Sequence, residues 1–265
     1  MSDVEVSYER RGRLGVIRLE RPDALNALTL GMIGEVERLS RAAERDPEVT
    51  AICITGAGRG FCAGIDMSVL TDHASNGPPP RAEARDGRPR RPALFSFLLD
   101  ISKPVIAAIN GAAAGVGLVL AAFADLRFAA AGAKFTTAHG RFNFPAEFGL
   151  SWVLPRIIGL THASDVLLSS RVFTAEEAMA MGFLNKVLPA EALIGHVMSY
   201  ARDMADQVAP GSARATKHQI YRDLHRGAAD AVTDAERLLE EMIRHPDYGE
   251  GIKAWMQKRR AQWVG

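Results

Sequence analysis

The segment IAAINGAAAGVGLVLAAFADLR, residues 106–127, constrains this chain more than any other stretch. An apolar, strand-like run passes through an Asn-Gly turn into a glycine-opened helix that is almost free of charge. Gly111, Gly115 and Gly117 can take φ > 0 or let another backbone or a ligand approach closely. The first amides of the following helix have no intrahelical acceptor and lie at its positive end. Amides in that position suit an oxygen on which negative charge develops. Taken alone, the same glycines are equally well read as tight turns.

Strand and helix signals alternate around this segment. Residues 15–19 read as a strand and 26–45 as a helix with Met32, Ile33, Val36, Leu39 and Ala43 on one face. The β-branched run at 49–55 ends at GAGRG, a glycine loop. Residues 105–109, 126–128 and 134–136 read as further strands, with a helix at 115–124. This alternation predicts an α/β fold with parallel strands. The stretch 72–92 is rich in Pro, Arg and Gly and reads as a mobile surface loop, either simply solvated or a site for a polyanion. Thr174 with Glu177 forms a capping box, and Gly182 closes that helix. Helices are then expected at 190–208, 212–225, 230–244 and 249–260. The division that follows is an α/β core over residues 1–200 and an all-helical subdomain over 201–265.

Composition excludes several classes of function. Of 265 residues, 48% are hydrophobic and 24% charged, as in globular proteins with a substantial core. Net charge is +1, so no global field favours nucleic acid or an anionic membrane. The longest apolar run is far too short to span a bilayer, and no signal region is apparent, so the cytoplasm is the expected location. Cys53 and Cys62 are the only cysteines, and the seven His residues show no ligand spacing, so neither a disulfide nor a metal site is expected.

Four motifs in order give the chain its resemblance: RPDALNAL (21–28), GAGRGFCAGIDM (56–67), NGAAAGVG (110–117) and FPAEFGLSWVLPRIIG (144–159). Together they resemble the crotonase superfamily, the enoyl-CoA hydratase/isomerase family. The resemblance implies a repeated ββα core, a C-terminal helical subdomain that packs across a homotrimer or a hexamer of two trimers, and an acyl-CoA substrate. It implies no permanently bound cofactor, with coenzyme A entering as part of the thioester.

Carried over by motif, the amides of Ile65 and Val116 would hold the thioester carbonyl as its enolate forms. Ala24, Leu25, Ala63, Gly64, Asp66 and Met67 would line the coenzyme A body, and Lys258 would approach its phosphates or else be an ordinary surface lysine. Typical hydratases place one Glu on the helix behind the glycine loop and a second after the next strand pair. This chain has Val119 and, near the second position, His139. Valine cannot move a proton.

Glu147 supplies a different acid. Related 3-enoyl to 2-enoyl-CoA isomerases carry a single carboxylate in a similar loop. Burial among Phe144, Phe148, Leu150 and Trp152 is expected to raise its pKa, although a Glu at a helix start also satisfies nearby amides. His139 is read either as a second proton carrier or as a packed, hydrogen-bonded residue. Asp125 is expected to pair with backbone or Arg127, and Trp152 and Leu154 to be core. Enoyl-CoA isomerisation is therefore favoured, with hydration or a non-catalytic coenzyme A-binding protein as alternatives.

Overall fold

The computed structural model describes residues 4–77 and 94–265. Three successive strand-strand-helix units build the core. They are β3 (Ala51–Gly56), β4 (Gly60–Cys62) and α2 (Met67–Asn76); β5 (Val105–Ile109), β6 (Ala112–Ala114) and α3 (Val116–Ala122); and β7 (Leu126–Ala130), β8 (Lys134–Thr136) and α4 (Leu150–Ser169). The first strand of each unit enters one sheet and the second enters another. A hairpin, β1 (Val6–Arg11) and β2 (Leu14–Leu19), turns at the positive-φ Gly12 and adds to the first sheet. With β10 (Lys186–Leu188) that sheet runs β1-β2-β3-β5-β7-β10, parallel throughout except for β1. The smaller sheet runs β4-β6-β8-β9, with β9 (Phe173–Thr174) antiparallel.

Strands buried on both faces explain the continuous apolar runs in the sequence. Ile52 and Ile54 face one cluster with Ile17, Leu19, Val105, Ala107 and Ile109, packed against α1 (Leu30–Arg45), α3 and α4. Ala51 and Cys53 face the opposite cluster, with Val16, Ile106 and Ala108, covered by α6 (Leu193–Gln207) through Leu193, Val197 and Ala201. Between β9 and β10 lies α5 (Ala175–Ala180), capped reciprocally by Thr174 and Glu177 as the sequence predicts. α6 thus belongs to the core and crosses the expected boundary at residue 200. Beyond it, α7 (Pro210–Asp223), α8 (Ala228–Ile243) and α9 (Pro246–Met256) pack in series, and α8 buries none of its residues.

Several sequence readings change. The first helix starts at Leu30, not at residue 26, because Thr29 Oγ1 accepts from the Met32 amide and Asn26 is held in a left-handed conformation. The region expected to be loop from residue 72 contributes its first residues to α2, and residues 78–92 lie outside the described residues. Asp125 takes the backbone alternative through the Val105 amide (2.6 Å) and adds Lys217 (2.7 Å) and Tyr221 (2.6 Å), which the sequence did not indicate, while the Arg127 side chain donates to the carbonyls of Phe183 and Ala124. Leu154 is core, but Trp152 is only half-buried, stacked between His225 and the Arg156 guanidinium.

Candidate active site

Two glycine loops meet where the three-residue strands β4 and β6 pair. An added Cβ at Gly111 would overlap the Arg59 carbonyl oxygen, and one at Gly117 would overlap that of Cys62. Only hydrogen fits at either place. Two asparagines fix the 58–60 turn from opposite sides. Asn110 Nδ2 donates to the carbonyls of Gly58 (2.9 Å) and Gly60 (3.0 Å), while its Oδ1 accepts from the Gly56 amide (3.0 Å). Buried Asn26 donates to the carbonyls of Ala57 (2.9 Å) and Gly60 (2.8 Å) and accepts from the Arg21 amide (2.9 Å). Sequence reading gave these asparagines no tertiary task; their positions inside the RPDALNAL and NGAAAGVG motifs are the only signal for it.

The amides of Ile65 and Val116 have no acceptor among the described residues. Ile65 forms a single parallel bridge with Leu28 in which Leu28 N–H donates to Gly64 O (2.7 Å) and Asp66 N–H donates to Leu28 O (2.9 Å). In a parallel ladder that pattern turns the Ile65 N–H to the other side. Val116 is the first residue of α3, so its N–H lacks an intrahelical acceptor. Gly64, at φ 107°, brings the loops together: a Cβ there would sit 3.0 Å from Ala114 O and 3.7 Å from Val116 N. Gly115 opens the turn at φ 48° with its own amide bonded to Thr136 O (3.0 Å).

Glu147 begins a short turn that leads into α4 and packs on α3: a Cβ on the next-but-one residue, Gly149, would sit 3.1 Å from the Phe123 ring at the end of α3. Its carboxylate is half-buried and makes no hydrogen bond or ion pair among the described residues, and burial raises its pKa. The surroundings differ from expectation. Leu150 is buried, but Phe144 and Phe148 are exposed, and Phe148 is held at φ 52°. Val119 is fully buried inside α3. His139 is buried after β8, and its Nδ1 has no partner among the described residues.

The remaining residues divide. Leu25 O accepts from the Ala63 amide (2.9 Å), so Ala24, Leu25, Ala63 and Gly64 form one ledge, with Met67 exposed beside it. The Asp66 carboxylate is occupied: it caps α2 through Ser68 N (2.9 Å), accepts from Ser68 Oγ (2.7 Å) and pairs with Arg21 (2.7 Å), which hold its pKa down at about 2. Lys258 is exposed at the end of α9, in the helical tail rather than on this ledge. Cys62, under the loop, is buried with its thiol pushed up to about 12, and no described group of His, Cys, Asp and Glu is placed to hold a metal ion.

Two amides without an acceptor among the described residues, one of them opening α3, and a half-buried carboxylate on the turn that packs against the same helix are groups that can stabilise an oxyanion and move a proton. A family model for Enoyl-CoA hydratase/isomerase matches residues 9–265. The chain belongs to the enoyl-CoA hydratase/isomerase family. This enoyl-CoA hydratase/isomerase family enzyme is 32% identical, over the full length of both chains, to the 1,2-epoxyphenylacetyl-CoA isomerase of Escherichia coli. It is 31% identical to the crotonyl-CoA hydratase of Syntrophomonas wolfei, with all of this chain and 99% of the other covered. A probable enoyl-CoA hydratase/isomerase from Mycobacterium abscessus superposes with a TM-score of 0.89 at 30% identity, covering 98% of this chain and 99% of the other. The crotonase fold, with its repeated ββα units and C-terminal helices, is thereby established.

Proposed function

We propose that this enzyme shifts the double bond of a 3-enoyl-CoA to give a 2-enoyl-CoA, with Glu147 as the single acid/base and the Ile65 and Val116 amides as the oxyanion hole. The carrying observation is the state of Glu147, a half-buried carboxylate whose pKa is raised by burial alone and which no described group holds in its charged form. A Glu that merely caps a helix would be bonded to amides and shifted downward. The carboxylate takes the proton from the α-carbon, and the electron pair moves onto the thioester oxygen between the two amides. Each amide can contribute about 3 kcal/mol to stabilising that charge. The same carboxyl then delivers the proton to the γ-carbon, so no water is consumed and no other reactant is needed.

Val119 supports this reading over hydration, because a buried valine occupies the helix position where the resemblance places a hydratase Glu. Hydration keeps support from relatives, of which the Syntrophomonas wolfei protein is named a crotonyl-CoA hydratase. The Escherichia coli relative is named for an isomerisation, of 1,2-epoxyphenylacetyl-CoA. The coenzyme A body lies on the ledge of Ala24, Leu25, Ala63, Gly64 and Met67, with Asp66 fixing the ledge through its cap on α2 and Lys258 reaching the phosphates. The unburied α8 and the open groove between α7, α8 and α9 support assembly into a homotrimer or a pair of trimers. No described helix is long and apolar enough to cross a membrane.

Incubation with 3-hexenoyl-CoA and 2-hexenoyl-CoA separates the reactions. The expected result is double-bond migration with little 3-hydroxyacyl product, abolished by Glu147→Gln. Rapid water addition to 2-hexenoyl-CoA, or a Glu147→Gln variant as fast as wild type, overturns the reading.

A further inference from the structure

His139 is a buried imidazole that the proposed proton transfer does not use. Its backbone lies between the turn that opens α3 and the segment that carries Glu147. Three residues before it, Thr136 O accepts from the Gly115 amide (3.0 Å), next to Val116. Its own carbonyl accepts from the Phe144 amide (3.1 Å), at the start of the segment that carries Glu147. The residue is 6% exposed, and neither ring nitrogen has a hydrogen-bond partner among the described residues.

The two nitrogens differ. Nδ1 is sealed from solvent, whereas Nε2 is not among the sealed atoms and forms the open edge of the ring. A proton on Nδ1 would bury a donor with nothing to accept it, so the neutral ring carries its proton on Nε2. The reachable edge is then a fixed N–H donor, not a lone pair, and does not suit a base. Leaving a buried polar ring unpaired costs free energy that a phenyl ring of similar shape would not incur. The hydroxyls nearest in sequence donate elsewhere: Thr136 Oγ1 to Ser170 O (3.0 Å), and Thr137 Oγ1 to Val166 O (3.1 Å).

Building on the acyl-CoA reading, we infer that His139 is a specificity-determining residue whose Nε2–H donates to an oxygen substituent on the acyl chain, so that the preferred substrates are oxygenated acyl-CoA thioesters rather than plain hydrocarbon ones. A plain chain laid over that edge displaces water from the donor without pairing it. An oxygen at the right carbon pairs it.

Binding of non-isomerisable ligands tests this apart from turnover. Titration calorimetry would compare hexanoyl-CoA with its 3-, 4- and 5-hydroxy counterparts on wild type, His139→Phe and His139→Gln. At least one hydroxylated ligand is expected to bind wild type about tenfold more tightly than hexanoyl-CoA, the value of one good hydrogen bond. That ratio should collapse towards one in His139→Phe and be partly restored in His139→Gln, whose side-chain amide can still donate. Equal affinity for all four ligands in wild type, or a preference that survives His139→Phe, overturns the inference while leaving the Glu147 mechanism standing. Failure of hexanoyl-CoA itself to bind overturns the acyl-CoA reading and this inference with it.

Discussion

Gly117 lies so close to Cys62 that an added Cβ would overlap the Cys62 carbonyl oxygen and come within 2.8 Å of its Cβ. The oxygen is backbone in the small sheet and the Cβ is bonded directly to that backbone at Cys62 Cα, so neither can swing away as the end of a flexible side chain would. Gly117→Ala is therefore expected to cost about 1–3 kcal/mol through forced backbone shifts. In a chain of this length each kcal/mol lowers Tm by about 2–4 °C. The same shift moves the Val116 amide, so kcat should fall more than KM rises. A Gly117→Ala protein that melts with wild type would show that the loops are looser than their contacts indicate.

Glu147 links activity to pH and to stability with opposite signs. Burial raises its folded pKa above the ordinary 4.5, so the folded chain binds this proton more tightly than the unfolded chain does. Its contribution to stability is fully present below about pH 4.5 and is lost as pH climbs through the folded value. Glu147→Gln cannot ionise, so its Tm relative to wild type should rise between about pH 4 and pH 7. Turnover needs the ionised form and rises with pH across the same raised pKa in wild type. Removing the carboxylate should lower kcat by about 10²-fold or more. Parallel melting curves of the two proteins across that range would contradict the burial argument.

Lys217 joins α7 to the core through a closed set of partners: Asp125, the Leu98 carbonyl (2.9 Å) and the Lys103 carbonyl (3.1 Å). Desolvation lowers its pKa, with Asp125 pulling in the other direction. Lys217→Ala leaves the largely buried Asp125 uncompensated and should cost about 3–5 kcal/mol in urea denaturation. Tyr221→Phe, which removes one bond to the same carboxylate, should cost about 1 kcal/mol. Equal midpoints for Lys217→Ala and wild type would mean that this network contributes no net stability.

The helical tail carries its own prediction. Val232, Leu239 and Ile243 lie along one face of α8 and are exposed, as is Trp255 on α9. If this face closes on other copies, light scattering after gel filtration should give a trimer or a hexamer, and Val232→Asp with Leu239→Asp should reduce it to monomer with little loss of helix signal. A wild-type chain that remains monomeric at micromolar concentration rules the assembly out.

What the sequence revealed follows from the range of the forces involved. The Thr174 and Glu177 cap was readable because its donors and acceptors lie within four residues. Strands β2, β3, β5 and β7 were readable because burial on both faces demands apolar runs, whereas the edge strand β1, exposed over its second half, gave no such run. Asn26 was misread as helical because apolar spacing starts there, yet its bonds to residues 57 and 60 fix it in a turn. The helix α2 was invisible because none of its residues is buried, so no amphipathic stripe marks it. The side-chain partners of Asp125, Lys217 and Tyr221, lie 92 and 96 residues away, beyond any local pattern. Within the candidate site, the glycine loops and Glu147 stood out as motifs, whereas the capture of the Asp66 carboxylate by Arg21 required the fold.

Asn110 also has a chemical lifetime. In an Asn-Gly pair the glycine nitrogen meets little hindrance in attacking the side-chain carbonyl, the route by which such asparagines lose ammonia and become aspartate or isoaspartate. Here both ends of the Asn110 amide are held by bonds to residues 56, 58 and 60. The cyclisation geometry is therefore reached mainly when the chain opens, and the acid left behind would set a negative charge against two carbonyl oxygens it once donated to. Chemical ageing at this one residue is thus coupled to unfolding, and each aged molecule returns with its two glycine loops joined by the β4–β6 pairing but without the Asn110 clasp.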